Sequence, residues 1–300
     1  MQMICIKGDI MLSKKIIISL FTFSSLFLSS CKQDNSSPKT IYTSFYPIYD
    51  FTSKIVGDKY KVVNITPSGE EPHDFEPTPK QIEELYDADA LLINGLEMEH
   101  WLDSAPKEIK NKAYIVTDSI VTRKENNVVD PHVWLSIKNA RIELKNIYNY
   151  VIELDPNNKE YYESNYNKYD NEFALLQADY KESLKNLSKP YLVTSHAAFG
   201  YLCDEFGLTQ LYLSGLEPDA TPTAKDIEKI IDAVNKYKIT TIFYEEMVGP
   251  EIAKKIANET GVKCEVLCTL ESLTQDELNN HEDYLSKMRD NLIKIKEATK

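Results

Sequence analysis

Residues 155–189 read DPNNKEYYESNYNKYDNEFALLQADYKESLKNLSK, and this stretch decides how the rest of the chain is organised. Its apolar residues recur three or four positions apart, which places them on one face of a helix while charged and amide residues fill the other. The apolar positions are Tyr162, Tyr166, Tyr169, Phe173, Leu176, Tyr180, Leu184 and Leu187. The pattern predicts a single long helix, and the alternative is two ordinary helices broken near Asn171.

The ends of the predicted helix carry matching signals. Asp155 can cap the first turn, Pro156 suits the first helical position, and Pro190 follows the last helical residue, where it cannot continue the helix. At about 1.5 Å per residue, a helix over 155–189 spans on the order of 50 Å, which is more than one small domain needs. We therefore expect a rigid helix that joins two lobes, an N-terminal lobe over 40–154 and a C-terminal lobe over 190–300.

Both lobes alternate β-like runs with helical patterns. The runs that read as strands are 40–45, 60–66, 88–94 and 112–116 in the first lobe, and 190–194, 209–213, 240–244 and 263–267 in the second. This alternation predicts an α/β fold in which each lobe has a mainly parallel sheet covered by helices. Ligands of such sheets bind beyond the carboxyl ends of the strands, so we expect the functional site in the cleft between the lobes.

The composition excludes some classes of partner. The 300 residues include 34 Lys and Arg against 47 Asp and Glu, for a formal net charge of −13. Nucleic-acid binding and a polybasic grip on membranes both need positive surface, so we expect neither. The length allows two lobes of ordinary size, each with its own core.

The N-terminal segment indicates export. Residues 1–30 read as a signal peptide whose natural start is Met11, with two lysines before a short, serine-rich apolar stretch. Cys31 follows Leu28-Ser29-Ser30, a pattern similar to a bacterial lipobox, and residues 31–39 then form a lipidated cysteine with a flexible tether. We expect the protein to be held by acyl chains on the extracytoplasmic face of the cell membrane. A plain signal peptide and an uncleaved anchor are the alternatives.

Three cysteines remain after Cys31. Cys264 and Cys268 lie roughly 13 Å apart if their run is extended, which is too far for a disulfide. Cys203 could pair with either one, but the sequence favours buried free thiols. The cysteines show no CxxC spacing typical of a thiolate metal site.

Four potential metal ligands fall at the predicted carboxyl ends of strands. His73 lies in a loop between Pro72 and Pro77, and His132 comes just before a helix that begins near residue 136. His196 follows its strand at once, and Glu271 comes after the last strand. A single histidine in a loop usually faces solvent. Two histidines in rigid loops after strands favour metal ligation over solvent exposure only modestly.

Other residues compete for or support such a site. His100 and His281 fall in segments that predict a structural or exposed role. Glu245 and Glu246 end a strand, where they could be rival ligands or, more in keeping with their position, carboxylates that orient a histidine ring.

Five motifs, taken together, resemble a known family. They are GEEPHDFEPTP, DPHVWLS, TSHAAFGYL, IFYEEM and LESL, in this order along the chain. The combination is similar to the metal-binding subunits of bacterial zinc and manganese ABC transporters, the cluster A-I substrate-binding lipoproteins typified by TroA, ZnuA and AdcA. The resemblance covers essentially the whole mature chain. It implies two lobes joined by a rigid helix, with a metal held between them by His73, His132, His196 and Glu271.

The chemistry of that set favours zinc. Three neutral imidazoles and one carboxylate make a closed four-coordinate site that suits Zn²⁺, whereas Mn²⁺ prefers more oxygen donors and is the alternative cargo. We expect a monomeric protein that captures Zn²⁺ and passes it to a membrane permease, and no catalysis. A zinc hydrolase is the enzymatic alternative, although no HExxH pattern occurs. A surface adhesin role is left open.

Overall fold

The fold is known from a computed structural model that describes residues 39–245, 247 and 249–300. The predicted signal peptide, Cys31 and most of the tether lie outside these residues, as does Glu246. Among the helices that are described, none has both the length and the apolar character needed to cross a membrane.

The first lobe is built on a four-stranded sheet whose neighbouring strands are all parallel. Its order is β2-β1-β3-β4, with β1 Thr40–Thr43, β2 Lys61–Asn64, β3 Ala90–Ile93 and β4 Ala113–Ile115. The connecting helices are α1 Tyr46–Val56, α2 Pro79–Tyr86, the single turn α3 Lys107–Lys110, and α4 Ile137–Leu154. A short antiparallel hairpin, β5 Lys124–Glu125 with β6 Val128–Val129, precedes α4 and was not predicted from the sequence.

The long helix is shorter than its sequence pattern predicts. A 3-10 turn over Pro156–Asn158 leads into α5, which runs without a break over Lys159–Ser183. Asp155 does not cap the backbone, because its carboxylate accepts hydrogen bonds from the Tyr162 hydroxyl at 2.8 Å and the Asn158 amide at 2.7 Å. The helix ends before residue 189 because the chain enters a left-handed conformation at Asn186, where φ is 59°.

The second lobe repeats the same architecture. Its sheet order is β10-β9-β7-β8 with every pairing parallel, and the strands are β7 Tyr191–Thr194, β8 Thr209–Tyr212, β9 Thr241–Tyr244 and β10 Lys263–Val266. The helices are α6 Gly200–Phe206, α7 Ala224–Tyr237, α8 Glu251–Thr260, α9 Gln275–Asn279 and α10 Tyr284–Ala298. Helices α6 and α8 end where Gly207 and Gly261 adopt φ of 72°, a conformation that favours glycine.

One hydrophobic core extends through both lobes and the long helix. Phe173 of α5 is fully buried against Phe51 of α1 and Tyr284 of α10, with ring centroids 5.3 and 5.1 Å away. The same core includes Leu92 of the first sheet and Leu192 of the second. Smaller clusters fill the outer face of each sheet. The lobes are therefore packed on a shared interior, which limits how far they can separate.

Cysteine placement agrees with the prediction of buried free thiols at two of the three positions. Cys203 and Cys268 are buried free thiols, and Cys264 is a half-buried one.

Candidate metal centre

The structure brings together four side chains that the sequence places far apart. His73 follows β2, His132 precedes a 3-10 turn before α4, His196 follows β7, and Glu271 follows β10. Their exposed fractions are 5%, 0%, 0% and 1%. One potential ligand atom from each residue lies within 4.8 Å of the other three. The carboxyl ends of the two parallel sheets face each other here, as the fold class predicts.

Five of the six separations between these atoms are close to those of a tetrahedral metal site, and the sixth, between His73 and His196, is within 4.8 Å. The Nε2 atom of His132 lies 3.1 Å from His73 Nε2 and 3.3 Å from His196 Nε2. Glu271 Oε1 lies 3.1 Å from the ring nitrogen of His132, 3.5 Å from that of His73 and 3.6 Å from that of His196. Metal–ligand bonds of about 2.0 to 2.1 Å in tetrahedral geometry separate the ligand atoms by roughly 3.3 to 3.4 Å. An ion with such bonds therefore fits at the centre of this set.

A buried carboxylate orients each of two imidazoles. Asp130 Oδ1 lies 2.9 Å from His132 Nδ1 and also accepts from the His132 backbone N–H at 3.0 Å. Glu245 makes a short contact with His196 Nδ1 and accepts from the His196 backbone N–H at 3.2 Å. A carboxylate at Nδ1 keeps the proton on that nitrogen and leaves the Nε2 lone pair free for a metal. Both rings therefore present Nε2 to the centre of the site.

A charged network extends from Asp130 to the opposite lobe. The guanidinium of Arg123 donates to Asp130 Oδ2 at 2.9 Å, and Arg123 also lies 3.3 Å from Asp204 of α6. The Tyr201 hydroxyl of α6 donates to the Asp130 carbonyl at 2.8 Å. These contacts hold the turn before His132 against the second lobe.

The electrostatics of the site favour a cation. Burial alone would lower the pKa of His132 and His196, but the adjacent carboxylates outweigh burial and raise both pKa values, that of His196 strongly. Burial would raise the pKa of Glu271, but the facing imidazoles hold it well below its ordinary value. Glu71, next to His73, has its pKa raised to about 8 by burial and by the charge of Glu271. Protons and metal ions therefore compete for the same ring nitrogens.

One atom supports metal binding independently of the spacing. Glu271 Oε2 accepts a hydrogen bond from the Thr269 hydroxyl at 2.8 Å, whereas the buried Oε1 has no hydrogen-bond partner among the described residues. A buried carboxylate oxygen left unpaired is costly unless a cation satisfies it.

Sequence reasoning placed most of these groups but missed several. Glu245 makes the contact with a histidine ring that the sequence suggested, while His100 and His281 are exposed and away from the cluster. Asp130 was missed, although its place two residues before His132 was a usable signal. Arg123 gave no such signal, because the fold alone brings it to Asp130.

Comparisons with known proteins agree with this geometry. The family model described as "ZnuA: Zinc-uptake complex component A periplasmic" matches residues 41–298. The high-affinity zinc uptake system protein ZnuA of Bacillus subtilis is 36% identical, with 93% of this chain and 96% of that protein covered. The zinc-binding protein AdcA of Streptococcus pyogenes is 32% identical over 96% of this chain, which spans only 62% of that longer protein.

Solved structures show the same likeness. The metal-dependent lipoprotein YcdH of Bacillus subtilis superposes with a TM-score of 0.78 at 38% identity, covering 87% of this chain and all of that one. The Zn(II)-bound ZnuA-like domain of Streptococcus pneumoniae AdcA gives 0.77 at 34% identity, covering 88% of this chain and 99% of that one. With a family model that matches nearly all of the described residues, the chain belongs to the ZnuA family of zinc-uptake components.

Proposed function

We propose that this protein is the solute-binding component of a zinc ABC transporter, which captures Zn²⁺ outside the cytoplasm and delivers it to a membrane permease. The ligands in this proposal are His73, His132, His196 and Glu271. The observation that carries it is the buried set of three Nε2 atoms and one carboxylate oxygen, all within 4.8 Å of one another, with His132 Nε2 and Glu271 Oε1 each 3.1 to 3.6 Å from the other three atoms. High-affinity uptake by the Bacillus subtilis relative supports the same function.

The donor set supports zinc over manganese. Three imidazoles and one carboxylate suit a borderline-soft ion with no geometric preference of its own, whereas Mn²⁺ is better served by additional oxygen ligands. The Zn(II)-bound relative from Streptococcus pneumoniae is consistent with this choice.

The site suits capture, not catalysis. Catalytic zinc sites keep one coordination position open for water or substrate. Here Glu271 Oε1 stands at the fourth corner, and all four ligands are nearly inaccessible to solvent. A bound ion would be enclosed by protein, which favours a carrier.

The N-terminal signals complete the proposal. Export followed by lipidation at Cys31 would hold the protein on the extracytoplasmic face of the cell membrane. The tether after Cys31 would then let a monomer reach its permease. The lipoprotein names of the Streptococcus pneumoniae and Bacillus subtilis relatives support such an anchor.

A metal competition experiment tests the proposal. Protein stripped of metal is titrated with Zn²⁺ and with Mn²⁺ against a chromophoric chelator, and we expect one Zn²⁺ per chain bound far more tightly than Mn²⁺. Glu271→Ala should weaken zinc binding strongly. The control Glu265→Ala changes a half-buried carboxylate on β10 and should leave affinity unchanged. A wild-type protein without zinc affinity, or a Glu271→Ala variant that keeps its zinc but loses a hydrolytic activity, refutes the assignment.

A further inference from the structure

The loop that carries Glu271 belongs to the second lobe by chain order but is bonded to the first. It follows β10, an edge strand of the second sheet. The Trp134 indole N–H donates to the Thr269 carbonyl at 2.8 Å, and the Gly69 N–H donates to the Ser272 hydroxyl at 2.8 Å. The Ser68 hydroxyl donates to the carbonyl of the next residue along the loop. These three donors all come from residues of the first lobe.

Helix α10 holds the beginning of the same loop. The Asn291 side-chain amide donates to the Cys268 carbonyl at 2.7 Å, and its oxygen accepts from the Cys268 N–H at 3.0 Å. Leu270, with φ of 62°, is fully buried, so the loop makes its sharp turn inside the core. Residues 268–273 are thus held at the start by α10 and further along by the first lobe.

Trp134 links the segment of His132 to the loop of Glu271. It lies in the 3-10 turn Val133–Leu135, which His132 directly precedes, and its ring centroid is 5.4 Å from that of His132. The side chain is fully buried against Phe45, and its carbonyl accepts from the Tyr284 hydroxyl at 2.6 Å. Residues 132–134 therefore present an imidazole directly to the site and fix the backbone beside Glu271.

The path from Trp134 to the carboxylate is short. Trp134 holds the Thr269 carbonyl, and the Thr269 hydroxyl donates to Glu271 Oε2 at 2.8 Å. Glu271 Oε1 is then left facing the three ring nitrogens. The backbone at His196 is instead held from within the second lobe. The Thr194 hydroxyl and the Gln210 side-chain amide donate to the His196 carbonyl, and the N–H of the next residue donates to the Gly215 carbonyl.

We propose that Trp134 is a positioning residue that locks the Glu271 loop in place before any metal arrives. The proposal rests on the proposed function, since it assumes that Glu271 is a zinc ligand. Under it, zinc meets a carboxylate already held against the first lobe and does not have to order residues 268–273. The direct partner of the ligand is Thr269, and a group that hydrogen-bonds a metal ligand in this way is worth about 10- to 100-fold in metal affinity.

Hydrogen exchange and zinc affinity together test the lock. In the metal-free wild-type protein, amides of residues 268–273 should exchange as slowly as they do with zinc bound. Trp134→Phe keeps an aromatic ring but removes the donor to Thr269, so it should speed exchange of these amides by about tenfold in the absence of metal. It should also weaken zinc binding, by at most about tenfold, because one hydrogen bond to the Thr269 backbone is lost while the direct partner of Glu271 stays in place. Trp101→Phe, a buried tryptophan in the outer cluster of the first lobe, should change neither.

A second pair of variants tests the last step without touching an aromatic ring. Thr269→Val should lower zinc affinity, and loss of tetrahedral character in the visible spectrum of the Co²⁺-substituted protein should accompany it. Thr52→Val alters a fully buried threonine whose hydroxyl has no hydrogen-bond partner among the described residues, and it should leave both measurements unchanged.

The outcomes separate the lock from the function. The lock is overturned, even if zinc binds tightly, by either of two results. One is fast exchange of the amides of residues 268–273 in the metal-free wild-type protein, and the other is an exchange rate in the Trp134→Phe variant equal to that of the wild type. A wild-type protein that binds no zinc overturns the proposed function, while the metal-free exchange data still decide whether Trp134 locks the loop.

Discussion

Glu245→Gln should weaken zinc binding although Glu245 does not face the metal position. The Glu245 side chain is 2% exposed and contacts His196 through both Nδ1 and the backbone N–H. Glutamine keeps the size of the side chain but removes the negative charge that makes the imidazole a stronger donor. Its amide can also turn an N–H toward Nδ1, which would favour the wrong tautomer of the ring.

The expected loss is about 10- to 100-fold in affinity, or about 1.4 to 2.7 kcal/mol. The loss should depend on pH. Although burial favours the neutral ring, Glu245 raises the pKa of His196 well above its ordinary value, so the wild-type ring must lose a proton before it binds zinc. The variant ring is more readily deprotonated. Its deficit should therefore be smallest in mild acid and grow toward alkaline pH, where the wild-type ring is also neutral.

Chelator competition at several pH values measures both effects. Glu99→Gln is a matched control, because Glu99 is a buried glutamate whose carboxylate accepts from the backbone N–H groups of Asn94 and Gly95. That variant should bind zinc like wild type at every pH. Equal affinity of Glu245→Gln and wild type at alkaline pH would show that the charge behind His196 does not strengthen the ligand, and the reasoning would fail.

Three further predictions follow from the site and the core. Because carboxylates raise the pKa values of His132 and His196 despite burial, zinc affinity of the wild type should rise between about pH 6 and about pH 8, and equal affinities by competition would contradict this. Glu143 is fully buried, neither oxygen has a hydrogen-bond partner among the described residues, and burial raises its pKa to about 8. The folded-state pKa of Glu143 exceeds the unfolded value of about 4.5. Its contribution to the free energy of unfolding is therefore fully present below about pH 4.5 and is lost as the pH rises toward 8, at about 1.4 kcal/mol per pH unit. Urea unfolding should show Glu143→Gln gaining up to about 3 kcal/mol over wild type at about pH 7, and much less at about pH 5. Small-angle scattering should give the same radius of gyration with and without zinc, since both lobes share one core, whereas a marked compaction would oppose that view.

The periodic segments were predictable because their signals are local. Every predicted strand of the two main sheets is present, and the face of α5 named from its spacing is the one that packs, with Phe173 and Tyr180 fully buried. Besides the uncapped start at Asp155, the main error lay at the end of α5. Hydrophobic spacing continues through Leu187, but the backbone turns at Asn186, and nothing in the periodicity marks where a helix must stop to lead into the next strand.

The site was predictable only in part. Residues after strands are expected at the carboxyl edge of a parallel sheet, which is why His196 and Glu271 stood out. The lock on the Glu271 loop depends instead on the hydrogen bond from the Trp134 indole to the carbonyl of Thr269, which lies 135 positions further along the chain. Contacts of that kind come from how two lobes pack, and the spacing of residues within either segment carries no record of them.

A shared core also bears on affinity itself. A protein whose binding-competent state is only fractionally populated loses affinity in proportion to that fraction, about 1.4 kcal/mol for each factor of ten. Here the lobes are joined through buried residues of α5 and α10, and donors from the first lobe hold the loop of Glu271. Little rearrangement is then needed to assemble the ligands, and little of the metal-binding energy is spent on it. The same rigidity opposes relaxation of the protein into a low-affinity state, so we expect release of zinc to depend on contacts that another molecule supplies, as delivery to a permease would provide.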